Sequence, residues 1–160
     1  NYYHVNKKNK KCAPNKTYQK THIFIFEEDE EKLPDILNIA KDIDGDHFEI
    51  KGTKKYISFV PLQMVVYGFK TVTSSRIKLV ELNIDFDKYD EITLVCPVWA
   101  DRVNAFVRQF LQNNKFKNKK ITIIGSCDGG YNKYFDSFTK YIDDSNEIVE
   151  KIIYVKGIQE

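Results

Sequence analysis

Residues 89–131 carry the clearest structural signal in the chain and read YDEITLVCPVWADRVNAFVRQFLQNNKFKNKKITIIGSCDGGY. Two short runs within them, 91–96 and 121–125, are apolar and rich in β-branched residues, as buried strands are. Between the runs, apolar side chains recur at helical spacing, at Val103, Phe106, Val107, Phe110 and Leu111. We therefore predict a strand, a helix and a second strand, with Pro97 ending the first strand because proline cannot donate to a ladder.

The same alternation extends in both directions from this segment. An apolar run at 23–26 precedes the helical pattern Leu33, Ile36, Leu37, Ala40 and Ile43, and residues 47–50 alternate as a short strand. Residues 56–69 fit a helix or an irregular connection, and we favour the helix. A last helix is marked by Tyr134, Phe135, Phe138, Tyr141 and Ile142, and a last strand lies at 148–149 or at 152–155. Alternating strands and helices predict an α/β fold with a parallel sheet covered by helices on both faces.

Composition bounds the classes of protein that remain. The 160 residues are 42% hydrophobic and 30% charged, which suits one domain with a substantial core. The 25 basic and 23 acidic residues leave a net charge of +2, too small to attract nucleic acid or a membrane surface. No apolar stretch approaches the roughly 20 residues of a membrane span. Three cysteines without paired spacing describe no disulfide framework, so we expect a reducing, cytoplasmic setting.

Residues 1–20 differ in composition from the rest. They hold six lysines among Asn, Tyr and Gln and have little apolar content. We interpret them as a polar, basic N-terminal extension and residues 21–160 as the folded domain. A basic arm that binds RNA or anionic lipid is the alternative, but such runs usually only solvate a chain, so we expect no nucleic-acid partner.

Ligands of open parallel sheets bind beyond the carboxyl ends of the strands, which draws attention to the loops after the apolar runs. Five motifs stand in and around these loops: Tyr89-Asp90-Glu91-Ile92, Pro97-Val98-Trp99-Ala100, Val107-Arg108-Gln109-Phe110-Leu111, Lys117-Asn118-Lys119-Lys120-Ile121 and Cys127-Asp128-Gly129-Gly130. In the order and spacing of these motifs, the chain resembles the flavodoxin family. The resemblance spans about Thr21 to Asp144 and is clearest over residues 89–131.

The resemblance implies a doubly wound, five-stranded parallel sheet of strand order 2-1-3-4-5, with flavin mononucleotide (FMN) lying across three loops. It also implies an electron-transfer or oxidoreductase role with a redox partner protein. The flavin-binding positions that it implies are Pro97, Val98, Trp99, Ala100, Ser126, Cys127, Asp128, Gly129, Gly130 and Tyr131. Trp99 would stack on the ring, and the two glycines would let the backbone approach it. The alternatives are that Trp99 covers the strand ends and that the glycines form a plain turn.

The first loop departs from the family pattern, in which Ser, Thr and Gly wrap the phosphate. The strand at 23–26 is followed by Glu27, Glu28, Asp29, Glu30 and Glu31, all ionised near neutral pH. One carboxylate about 4 Å from a phosphate charge costs ~1 kcal/mol in bulk water, and two or three facing a doubly charged phosphate would cost ~5 kcal/mol. That is about three to four decades of affinity. Acids in a first helical turn also stabilise the helix by ~0.3–1 kcal/mol each, which explains why they are tolerated without restoring a phosphate site.

Other functions follow from the same residues. A flavodoxin-like domain that has lost flavin and serves as a binding or scaffold module is the main alternative. A receiver domain that holds Mg²⁺ needs an aspartate where this chain has Cys96-Pro97. Cys96 and Cys127 end neighbouring predicted strands and form either a redox pair or two buried small side chains. The three histidines lack metal spacing, and no residue is assigned a catalytic role, so whether the chain is an enzyme stays open.

Overall fold

A computed structural model describes the parts of the chain on which the following sections rest. They are residues 19–25, 43, 45–54, 60–73, 75–156 and 158–160, with the backbone alone described for 19–25, 60, 63, 64, 67 and 68. The predicted helix that begins near Leu33, the acidic row from Glu27 to Glu31, and residues 1–18 lie outside them.

Seven strands and three α-helices make up the described fold. The strands are β1 (Gln19–Ile25), β2 (Asp46–Ile50), β3 (Tyr89–Trp99), β4 (Arg102–Val103), β5 (Lys120–Cys127), β6 (Glu147–Val155) and β7 (Ile158–Gln159). The helices are α1 (Val60–Val72), α2 (Ala105–Asn113) and α3 (Tyr134–Thr139), with a 3₁₀ turn at Phe86–Lys88. Because β1 begins at Gln19, the last two residues of the predicted extension, 19 and 20, belong to the sheet.

The strands form one open, mostly parallel sheet in the order β2-β1-β3-β5-β6-β7. The pairs β1–β2, β1–β3, β3–β5 and β5–β6 are parallel, whereas the two-residue strands β4 and β7 pair antiparallel with β3 and β6. The prediction of an α/β fold with a mostly parallel sheet is confirmed. The prediction of five strands omitted β4 and β7, since two residues have no periodicity from which a strand can be recognised.

Most element bounds differ from the predicted ones by a few residues. A single strand, β6, contains both segments between which the sequence left the last strand open. Residues 60–72 are helical, as favoured for that segment. The prediction that Pro97 ends its strand is wrong, because β3 continues to Trp99. Pro97 pairs with Ser126 of β5 in the parallel ladder, so the strand continues through the proline.

The core lies between the sheet and its helices. Ile92, Leu94, Ile121 and Ile123 are completely buried in the central strands and pack with aromatic side chains of α2 and α3. The apolar stripe of α2 therefore faces the sheet, as its spacing predicted. Among the described residues, no helix is long and apolar enough to cross a membrane.

A buried arginine joins α2 to the end of α1. Arg108 is 2% exposed, and its guanidinium donates to the backbone carbonyls of Lys70, Thr71 and Ser75 at 2.6–3.2 Å. These carbonyls lie in and just after the last turn of α1, where a cation complements the helix dipole. Burial lowers the pKa of Arg108. The polar residue within the α2 motif therefore fastens two helices rather than facing solvent.

Candidate functional site

The carboxyl ends of β3 and β5 lie side by side. In the parallel register, Cys96 pairs with Gly125 and Pro97 with Ser126. The segments that follow the two strands therefore begin as neighbours at one edge of the sheet. We call residues 97–102 the second loop and residues 126–131 the third loop.

The second loop is a tight reversal rather than an open loop. Pro97, Val98 and Trp99 still belong to β3, and Trp99 pairs with Arg102 across the hairpin to β4. Ala100 and Asp101 form the turn with φ of 47° and 61°, which costs a residue with a Cβ roughly 1 kcal/mol. The predicted site residues Pro97 to Trp99 are therefore strand residues, held in place by main-chain pairing.

Trp99 packs against the start of α2. Its ring meets Phe106 edge to face, with centroids 5.9 Å apart, and is half-buried against the core. The indole thus packs on α2 and on the margin of the core. Part of its surface is accessible to solvent.

The third loop is more open. Ser126 and Cys127 are the last residues of β5, and Asp128, Gly129 and Gly130 are exposed. Gly129 and Gly130 have φ of 149° and 76°, in the region that favours glycine, and a Cβ built on either would meet no atom of the other described residues within 4 Å. Without a side chain of their own, the two glycines leave this backbone uncovered.

A dense layer lies directly beneath the two loops. A Cβ on Gly125 would lie 2.5 Å from the Tyr134 ring and 2.8 Å from Ile153. The Tyr134 hydroxyl lies 2.8 Å from the Cys96 thiol and donates to the Cys96 carbonyl at 3.0 Å. We call Cys96, Gly125 and Tyr134 the floor of the site. Burial raises the pKa of Cys96 to about 12 and the pKa of Tyr134 well above its ordinary value, so both remain protonated at neutral pH.

The two cysteines therefore have different roles. Cys96 is 0% exposed and hydrogen-bonded to Tyr134, whereas Cys127 is half-buried at the strand end. Neither of these two cysteines forms a disulfide. The nucleophilic form of a cysteine is its thiolate, which the high pKa of Cys96 suppresses. The geometry favours the interpretation of Cys96 as a buried packing residue over its membership of a redox pair.

Three hydrogen bonds fix the third loop to its surroundings. The Cys127 carbonyl accepts from the Lys156 N–H at 2.9 Å, and the Tyr131 hydroxyl donates to the Glu160 carboxylate at 2.6 Å. Just after the loop, the Lys133 N–H donates to Asp101 of the second loop at 3.2 Å. The two loops and the β6–β7 hairpin thus form one connected rim around the floor.

Three carboxylates of this rim act on Cys127. Burial is the largest cause that raises the pKa of Cys127, and the carboxylates of Asp128, Glu160 and Asp101 raise it further. The hydrogen bond to Glu160 raises the pKa of Tyr131 as well. Within the described residues, no group of His, Cys, Asp and Glu side chains has the arrangement of a metal site.

Sequence reasoning missed three residues that shape the site. Tyr134 was assigned only to a helical stripe, and Asp101 and Glu160 were given no role in a binding site. Tyr134 shares a pattern with ordinary core aromatics, and Asp101 and Glu160 act on residues about 30 positions away in the chain. The pairing of parallel strands brings such partners together, and no local sequence motif indicates which residues will meet.

Comparison with known proteins gives structural relatives only. No protein-family model matches the sequence, and no curated protein is significantly similar to it. A flavoprotein from Lactobacillus acidophilus NCFM, crystallised in complex with FMN, has a TM-score of 0.61 and 16% identity, and the match covers 85% of this chain and 93% of that one. The apo form of the flavoprotein from the same organism has a TM-score of 0.55 and 19% identity, over 83% and 91% of the two chains.

A third match is a Bacteroides uniformis protein whose name describes it as a flavoprotein. Its TM-score is 0.64 at 15% identity, and the match covers 86% of this chain and 92% of that one. At such identities, the likeness shows that these proteins share a fold over most of their length.

Proposed function

We propose that this chain is a flavodoxin-like protein that binds FMN at the ends of β3 and β5 and serves as an electron-transfer or oxidoreductase module. The open backbone of Gly129 and Gly130, directly beside the strand that carries Trp99, is the observation that carries the proposal. A structurally similar flavoprotein that was crystallised with FMN supports it. Fold alone does not establish a function, so the site must be tested directly.

The flavodoxin-like topology is part of the proposal. When the two-residue β4 is set aside, the parallel strands β2-β1-β3-β5-β6 are arranged as 2-1-3-4-5 in chain order. Such an order has its switch point between β1 and β3, where doubly wound folds bind their ligands. Helices on both faces of the sheet complete this topology.

The proposed contacts divide between the two loops. Trp99 offers the solvent-facing part of its indole for stacking, on a strand held by β4 and β5. Residues Ser126 to Tyr131 offer main-chain groups, which Gly129 and Gly130 leave accessible. When bound, FMN supplies the electron or hydride chemistry, while the protein supplies position and electrostatics. A redox partner protein would approach the same exposed edge.

Binding of flavin is tested by the absorption spectrum of the purified protein and by titration of FMN fluorescence. We expect a yellow protein, or quenching of added FMN at micromolar concentration. Trp99→Ala should weaken this binding by about tenfold, since stacking on an aromatic ring contributes ~0.5–1.5 kcal/mol beyond buried area. A colourless protein that is indifferent to flavin would overturn the proposal and favour the flavin-free binding or scaffold module.

Riboflavin separates the ring from the phosphate. If the acidic row from Glu27 to Glu31 repels the phosphate, FMN should bind no more tightly than riboflavin, which lacks that group. Replacing the row by a Ser/Thr/Gly loop should raise FMN affinity by about three to four decades, the equivalent of ~5 kcal/mol. The affinity for riboflavin should stay the same and serves as the matched control. An unchanged FMN affinity would show that charge was not the obstacle.

A further inference from the structure

We propose that Glu160 is a positioning residue for the flavin ring: its carboxylate holds Tyr131, and through Tyr131 it holds the third loop in the binding conformation. This inference rests on the proposed function, because the loop is the one that would contact the ring. It adds the β6–β7 hairpin to a site otherwise built from the ends of β3 and β5.

The third loop is fixed at its ends, and its middle is exposed. At its start, Cys127 is paired with Val155 of β6, and its carbonyl accepts from the Lys156 N–H. At its other end stands Tyr131, whose carbonyl accepts from the Tyr134 N–H at 3.0 Å. Between these points, the Gly129 backbone is hydrogen-bonded to Cys127, and a Cβ on Gly129 or Gly130 would meet no atom of the other described residues within 4 Å. The course of this backbone therefore depends on how firmly Cys127 and Tyr131 are held.

A hydrogen bond to Glu160 holds the side chain of Tyr131. Its ring packs at the margin of the core, and its hydroxyl donates to Glu160 at 2.6 Å, within the short range of hydrogen bonds to carboxylates. The same bond is the largest cause that raises the pKa of Tyr131, so the hydroxyl keeps its proton and remains a donor at neutral pH. Loss of the carboxylate would leave the ring contact alone and allow the loop to sample other conformations.

The hairpin that carries Glu160 is itself ordered by main-chain bonds. Tyr154 pairs with Gln159 and Val155 with Ile158, and the Glu160 N–H donates to the Ile153 carbonyl at 3.0 Å. Glu160 is thus tied to β6, which pairs along its length with β5. The Glu160 main chain is thus the fixed point from which its carboxylate reaches Tyr131.

Glu160 also contributes charge, so the test must separate the bond from the field. Asp101, Asp128 and Glu160 all act on Cys127, and removing any one of them makes the rim less negative. Glu160→Gln keeps an acceptor oxygen and removes the charge. Glu160→Ala removes both, and Tyr131→Phe removes the donor while leaving the charge. Glu147→Ala is the matched control, because Glu147 is an exposed acid at the opposite end of β6.

The first measurement needs no flavin. Ultraviolet difference titration of the apo protein, with Tyr131→Phe as the reference, reports the ionisation of Tyr131. We expect its pKa to fall towards the ordinary tyrosine value in Glu160→Ala and to remain unchanged in Glu147→Ala. An unchanged Tyr131 pKa in Glu160→Ala would overturn the proposed bond.

The second measurement is the affinity and dissociation rate of FMN and riboflavin. Glu160→Ala and Tyr131→Phe should each weaken binding of both flavins by about three- to tenfold, mainly through faster dissociation. Glu160→Gln should recover most of the loss, and Glu147→Ala should bind as the unmodified protein does. If the unmodified protein binds flavin and the first two variants bind it equally well, this inference is overturned while the proposed function stands. If the unmodified protein binds neither flavin, both are overturned.

Discussion

Gly125 lies near the end of β5 and Gly129 lies two residues beyond that end, yet Gly125 is tightly surrounded and Gly129 is exposed. A Cβ on Gly125 would collide with the ring of Tyr134 at 2.5 Å, whereas a Cβ on Gly129 would meet no atom of the other residues that the structure describes within 4 Å. Gly125 is needed for lack of room and Gly129 for its φ of 149°. Two glycines that look alike in the sequence thus mark the change from a packed floor to an open rim.

This difference separates stability from binding. A change of side-chain volume in the packed floor should lower the free energy of unfolding, because protein interiors are as dense as organic crystals and relax little. The middle of the third loop, from Asp128 to Gly130, is exposed, so changes there should alter what approaches the backbone more than how firmly the chain is folded. If the rim were also packed, the two kinds of effect would appear together at both glycines.

The largest expected contrast is in the reactivity of the two cysteines. Cys96 is completely buried with a pKa of about 12, whereas Cys127 is half-buried at the rim. Alkylation of Cys96 requires the floor to open, and an opening free energy of ~4 kcal/mol makes it about a thousandfold slower than alkylation of Cys127. Timed iodoacetamide labelling at pH 8 with peptide mapping measures both rates in one sample. Rates within tenfold of each other would show that the floor is not sealed.

The next largest effect is the cost of filling Gly125. Gly125→Ala places a methyl group against Tyr134 and Ile153, and we expect a loss of about 3 kcal/mol in the free energy of unfolding, as for overpacked cores. Urea denaturation of the variant and the unmodified protein gives this value. Gly129→Ala is the control that shares the residue change but lacks the collision. A loss at Gly125 no larger than the loss measured for Gly129→Ala would place Gly125 with the rim.

Alkaline pH tests the floor without a collision. The pKa of Cys96 is about 12 in the folded protein against an ordinary value of 9.0, so the unfolded chain loses its proton first as the pH rises. The stability that Cys96 contributes is complete below pH 9 and declines by about 1.4 kcal/mol per pH unit between pH 9 and 12. Tyr134, whose pKa is raised from 10.0, acts in the same direction.

Urea midpoints at pH 8, 9 and 10 measure this decline. In Cys96→Ala the slope above pH 9 should be shallower, although the variant starts from a lower stability at pH 8. Cys127→Ala, at the rim, should leave the slope closer to that of the unmodified protein. Equal slopes in all three proteins would show that the Cys96 thiol ionises as easily in the folded state as in the unfolded one.

The sequence was informative where a pattern repeats. Alternating apolar runs and helical stripes predicted the α/β class and the mostly parallel sheet, because the strand and helix periods survive in the letters. It failed at β4 and β7, which are too short to have a period, and at the end of α3. That helix ends at Thr139 although the stripe continues to Ile142, since Ile142 stays buried in the turn that follows.

From the sequence, only the approximate location of the site was predictable. Parallel strands place their carboxyl ends together, which was enough to bring Pro97 and Ser126 side by side. Which residues would be covered was not predictable. Trp99 packs against Phe106, and Cys96 is hydrogen-bonded to Tyr134. Both contacts depend on how the helices are placed against the sheet, which the local sequence does not indicate. That the acidic row repels the FMN phosphate remains a prediction from the sequence. The comparison of FMN binding with riboflavin binding tests it.

The smallest expected effect on stability belongs to the open glycines and completes the comparison. Gly129→Ala and Gly130→Ala force a side chain into positive φ but bring it against no other residue in the described part of the chain, so each should cost about 1–2 kcal/mol of the free energy of unfolding. If the flavin ring approaches this backbone, the same substitutions should weaken riboflavin binding by tenfold or more, because the new methyl group occupies the ring's space. Gly125→Ala, assayed in conditions where it is folded, should bind riboflavin nearly as well as the unmodified protein.

Urea denaturation and fluorescence titration on the same three variants therefore give opposite rankings if the floor and rim are distinct. The same ranking in both measurements would mean that the rim glycines serve folding alone, and the ring would then have to be sought elsewhere along the strand ends.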